Sequence, residues 1–79
     1  MTSVHALDKI KLALEHAPRN GYVAELHLQV IKYSDLLTDV SAKEFCEALG
    51  IGASFGTEYA KMRKIAGRLK AAGLDVDRI

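Results

Sequence analysis

A chain of 79 residues has room for one domain and not for two. Hydrophobic residues make up 49% and charged residues 27%, which excludes a disordered chain, and the single cysteine excludes an intramolecular disulfide or a multi-cysteine zinc site. A net charge of +1 means that bulk charge points to no nucleic-acid partner. The core is necessarily small, and at this size a stability of about 3–5 kcal/mol is expected. No apolar run is long enough to span a bilayer, and the opening MTSVHALDK lacks a basic segment leading into an apolar one. A cytoplasmic protein with no membrane partner is expected, and Met1 favours a complete chain over a domain cut from a longer one.

Punctuation at Pro18–Gly21, Thr38–Val40, Gly50–Ser54 and Gly73 divides the chain into four segments. In the first, Ser3 is placed to cap a helix, and Val4, Leu7, Ile10 and Leu14 form an apolar stripe. His16 falls in the last turn, where its charged form suits the negative helix end, and Pro18 stops the helix at or before Ala17. The second segment, Tyr22 to Leu37, reads two ways. Ala24, Leu26, Leu28 and Val30 alternate with polar residues as in a strand, while Val23, Leu26, Val30, Tyr33 and Leu37 fit a helix. Its length, and the lack of a second strong strand to pair with it, select the helix.

The third segment starts with Ser41-Ala42-Lys43-Glu44, a capping box, and continues with an inward face of Phe45, Cys46 and Leu49 before Gly50 ends it. The fourth begins near Ser54 and carries a long stripe of Phe55, Tyr59, Met62, Ala66, Leu69 and Ala72, with Gly73 as the stop. Leu74, Val76 and Ile79 make a short tail suited to folding back onto the core. Together these features predict an all-α, four-helix single domain over 1–79, with helices at about 3–17, 22–37, 41–49 and 54–72.

The last two helices, short and then long and basic, are joined by a tight glycine turn, the order of a helix-turn-helix. The words SAKEFCEALGIG, followed by a basic amphipathic helix, resemble the helix-turn-helix family of small bacterial and phage regulators. The resemblance implies a small residue midway along the first helix, matched by Cys46, and a glycine then an apolar residue in the turn, matched by Gly50 and Ile51. It also implies apolar closure from the second helix, matched by Tyr59 and Met62. Cysteine stands where the family has Ala or Gly, the Gly50–Ser54 turn is a residue longer, and Phe55 arrives one position early, so a variant of the motif is expected.

The resemblance implies a DNA-binding transcriptional regulator with the fourth helix as recognition helix. Charge is distributed accordingly: residues 1–53 hold five Lys/Arg against seven Asp/Glu, and residues 54–79 hold six against three. Thr57, Lys61, Lys64 and Arg68 share one helical face. Ser54, Thr57, Glu58 and Lys61 are the candidates for base edges, and Lys64, Arg68 and Arg63 for phosphates. Free N–H groups at the helix start offer a further phosphate contact. The ordinary alternative is a solvated basic helix face. Gly56, Ala60 and Gly67 leave another side of the helix slim, although Gly costs about 1 kcal/mol against Ala in a helix interior. Close approach of a helix or a DNA backbone would offset that cost, and an irregular first turn would equally explain Gly56.

A short reading head of this kind implies a homodimer on double-stranded DNA, with half-sites about 34 Å apart. Tyr22 and Leu28, off the main stripe of the second helix, are candidates for the exposed apolar contact. The alternative is a protein-interaction module on the same fold, an adaptor or antiactivator, with Gly56, Ala60 and Gly67 receiving a partner helix. Near-zero net charge and Glu58 in the first turn favour it. No metal site, cofactor or enzyme activity is read. His5, His16 and His27 lie 11 residues apart without metal-ligand spacing, the glycines form no phosphate loop, and no pair of titratable groups converges.

Overall fold

Thr2 opens the first helix. In the computed structural model, which describes residues 2–79, its hydroxyl accepts the N–H of His5 at 3.3 Å and α1 runs over Ser3–His16. The cap therefore lies one residue before the expected Ser3, Thr supplying the same oxygen. Ala17, ahead of Pro18, is already extended, as steric conflict with the proline ring requires. Ala6, Ile10 and Leu14 face inward, whereas Val4 is 63% exposed. Val4 sits about 120° around the helix from Ile10, which takes it off the buried row.

A short 3₁₀ turn, Arg19–Gly21, leads into α2 over Tyr22–Tyr33, and the chain then tightens into a second 3₁₀ turn over Ser34–Leu36. The helical reading of this segment holds, with its last turn wound more tightly than an α-helix. Leu26 and Val30, common to both patterns, are buried. Leu28, which the alternation would bury, is 43% exposed. Val23, which the helical stripe would bury, is also exposed, as it lies at the start of the helix away from the core. The tightening brings Leu37 and Val40 into the core through Leu37 N–H to Ser34 and Val40 N–H to Leu37.

α3 spans Ala42–Leu49 and starts as its sequence dictates. Glu44 N–H donates to Ser41 Oγ and Ser41 N–H donates to Glu44 Oε1, each at 3.1 Å. Gly50 closes it with a left-handed backbone (φ 66°), and Ile51 N–H reaches back to the Cys46 carbonyl. α4 spans Phe55–Ala71. Gly73 takes φ 108°, and Leu74 N–H bonds to the Leu69 carbonyl at 3.0 Å. The tail forms a last 3₁₀ turn, Val76–Arg78, against α2, where Lys32 Nζ donates to the Ile79 carbonyl at 2.8 Å. No strand occurs among the described residues.

α4 packs on α2 and α3, and α1 on α2 and α3. At the centre the rings of Phe45 and Tyr59 stack with centroids 4.2 Å apart, surrounded by Ile10, Leu26, Val30 and Leu37. The Tyr59 hydroxyl is shared between the carbonyls of Val40 (2.6 Å) and Leu37 (3.2 Å). Those oxygens belong to the bend between α2 and α3, so one side chain of α4 ties that bend into the core.

Candidate nucleic-acid interface

The α3–turn–α4 unit is set by one close approach. Gly56 is buried, and a Cβ placed there would lie 3.3 Å from the Ala42 Cβ and 3.9 Å from Cys46 Sγ. A larger residue would push the helices apart, so this glycine's helix cost is offset inside the chain. It is therefore not open to a partner helix, which corrects one of the three slim positions. Ala60 and Gly67 stay exposed and floor a shallow groove between α4 and the α2–α3 bend, while nothing lies within 4 Å of a Cβ at Gly67.

The start of α4 also departs from expectation. Ser54 is exposed and makes no side-chain cap. Instead, Phe55 N–H bonds to the Gly52 carbonyl and Gly56 N–H to the Ala53 carbonyl, so these two amides are already satisfied and not free for phosphate. The turn delivers Phe55 to the edge of the core, where its ring meets that of Tyr22 edge-on at 6.2 Å. Tyr22 is thus packed against the core and is not the exposed contact expected of it. Leu28 does remain exposed.

Thr57, Lys61, Lys64 and Arg68 are all exposed along one face of α4, and none of them forms an ion pair or side-chain hydrogen bond among the described residues. Two other candidates lie elsewhere. The Glu58 carboxylate sits 2.8 Å from His27 Nε2 and belongs to the α2–α4 contact. Neighbours on a helix diverge by about 100°, which carries Glu58 off the face that Thr57 occupies. Arg63 is half-buried, its guanidinium 5.3 Å from the Tyr59 ring centroid and donating to the Val40 carbonyl at 3.3 Å. Arg63 covers the bend. Lys70 is likewise engaged, with Nζ 2.7 Å from both Ser34 Oγ and Asp35 Oδ1.

Burial raises the Tyr59 pKa, an effect that the nearby Arg63 partly opposes. Burial also pushes the Cys46 thiol up, so it packs as a neutral, weakly polar group. The Ser41 backbone N–H and hydroxyl hold the Glu44 carboxyl below its ordinary value. The histidines stay apart: His27 faces Glu58, His16 Nδ1 donates to the Leu12 carbonyl at 2.9 Å, and no group of three metal-ligating side chains forms among the described residues. No helix among the described residues is long and apolar enough to cross a membrane.

The sequence reading missed the roles of His27, Arg63 and Lys70. His27 pairs with Glu58, Arg63 with the Val40 carbonyl and Lys70 with Ser34 across 23 or more residues of chain, beyond the reach of any local pattern. A family model described as an HTH-like domain matches residues 2–72, and the chain belongs to that family. No curated protein and no solved structure matches it.

Proposed function

We propose that this HTH-like domain is a small cytoplasmic transcriptional regulator that binds double-stranded DNA through the exposed face of α4. The observation that carries the reading is the row Thr57, Lys61, Lys64 and Arg68, whose three cations are unpaired on a helix braced from behind by the Gly56–Ala42 contact. Three unpaired cations on one ridge supply phosphate affinity, and Ser54, Thr57 and Lys61 at its N-terminal end reach base edges. Arg63 and Glu58 drop out of the contacting set and act by holding α4 in place. No catalytic role or cofactor enters this reading.

An amide NMR titration with random duplex DNA tests it. Shifts clustered on Ser54–Arg68 that fade as salt rises support the reading. Absence of shifts at low salt refutes it and favours the protein-interaction module. One observation supports that second reading: the internal use of Arg63 and Lys70 reduces the basic face to a short row.

A further inference from the structure

The groove between α4 and the α2–α3 bend is a second surface that DNA contact on the exposed row leaves open. It encloses about 460 Å³, within the size range of ligand clefts, with Ala42, Ala60 and Gly67 as its floor and Thr38 on the bend side. Ala60 and Gly67 sit about 80° around α4 from the Thr57–Arg68 row, and Arg63, also lining the groove, about 130°. A duplex lying on the row does not face Arg63.

The groove is cationic: Arg63, Lys64 and Lys70 line it against one carboxylate, Asp35. The Asp35 side chain is 82% exposed, so its pair with Lys70 holds weakly and yields to a better-seated anion. Arg63 is pre-organised. Its guanidinium lies over the Tyr59 ring, and Nη1 donates to the Val40 carbonyl and the Tyr59 hydroxyl. The Nε and Nη2 N–H groups have no hydrogen-bond partner among the described residues, and together they form the edge that takes both oxygens of a carboxylate. A Cβ at Gly67 would meet nothing within 4 Å, so no contact inside the chain offsets this glycine's cost to the helix, and another backbone can come close there.

We propose that the groove binds an extended acidic segment of a partner protein, with one carboxylate on the Arg63 fork, a second on Lys70 and the peptide backbone against Ala60 and Gly67. Charge complementarity names the occupant, and spacing agrees with it. Arg63 and Lys70 are seven residues apart, about 10.5 Å along α4. An extended peptide rises about 3.3 Å per residue, so acidic residues two to four positions apart bracket that span. A duplex on the row presents its phosphates to Lys61, Lys64 and Arg68 instead. Lys64 belongs to both surfaces, so an occupied groove lowers DNA affinity; that consequence alone rests on the DNA-binding reading.

An amide NMR titration of the full chain with N-acetylated hexaglutamate at low salt tests the proposal. Saturable shifts are expected at Thr38, Ala60, Arg63 and Gly67. Gly67→Leu fills the floor, and Arg63→Lys keeps the charge but removes the fork. Each weakens peptide binding about tenfold or more with the helical circular dichroism unchanged. Lys70→Gln weakens it as well, whereas Lys11→Gln, the same loss of charge on α1, does not. Absence of shifts at millimolar peptide overturns the proposal, as do shifts confined to Lys61, Lys64 and Arg68, or binding indifferent to both Gly67→Leu and Arg63→Lys. Duplex DNA that shifts Thr38 and Gly67 more strongly than the peptide also overturns it, giving the groove to nucleic acid. The DNA-binding reading fails separately, on a lack of shifts with duplex DNA.

Discussion

The Tyr59 hydroxyl lies 2.6 Å from the Val40 carbonyl and anchors the α2–α3 bend to the middle of α4. Arg63 reaches the same carbonyl from one turn further along, so two side chains of α4 fix the bend that positions α3. Because α3 in turn sets the angle at which α4 projects, the exposed face depends on this buried bond.

Tyr59→Phe isolates that bond. The ring still stacks on Phe45, but the carbonyls of Leu37 and Val40 lose a donor. A loss of about 1–2 kcal/mol is expected, seen as a lower urea midpoint with the slope unchanged.

Gly67 and Gly56 separate two reasons for glycine in a helix. A Cβ at Gly67 meets nothing within 4 Å, so Gly67→Ala is expected to stabilise the domain by about 0.5–1 kcal/mol through helix propensity. At Gly56 the same gain is opposed by Ala42 at 3.3 Å, and Gly56→Val is expected to destabilise by about 1–3 kcal/mol. Thermal unfolding of the three variants checks the order: Gly67→Ala above wild type, Gly56→Ala below Gly67→Ala, and Gly56→Val lowest.

The capping box carries a pH signature. Glu44 is held below its ordinary value of 4.5 by the Ser41 N–H and hydroxyl. A carboxyl whose pKa is lowered by folding stabilises the fold above its unfolded pKa, and the gain is lost as pH falls through the folded pKa. Wild type should therefore exceed Glu44→Gln in stability at neutral pH, with the gap closing as pH drops below 4.5. Chemical denaturation of both proteins across that range measures it.

Where the determinants are local, the sequence made the fold legible. The Ser41–Glu44 box, the helix end at Gly50 and the stop at Gly73 each depend on residues within one turn, and each occurs as read. The second helix was decided by length and by the lack of a pairing strand, and the exposure of Leu28, which the strand alternation would have buried, follows that choice. Exposure was less legible because it depends on what packs alongside. Val4 and Tyr22 exchange their expected roles, one left in solvent and the other drawn against Phe55. Within the candidate site, the exposed row of Thr57, Lys61, Lys64 and Arg68 follows from helical spacing alone. Glu58 and Arg63, named beside that row as candidate contacts, are instead engaged with His27 and Val40 from distant segments, and helical spacing on α4 carries no trace of either partner.

The most direct measurement of the central claim is the dependence of duplex-DNA affinity on salt for wild type and for Lys61→Ala/Lys64→Ala. Each phosphate neutralised contributes about 0.9 to the slope of log K against log salt. Loss of both lysines should lower affinity and reduce the slope by about 2. An unchanged slope, or a wild-type protein that binds no duplex at low salt, would contradict the assignment of α4 as the DNA-contacting helix.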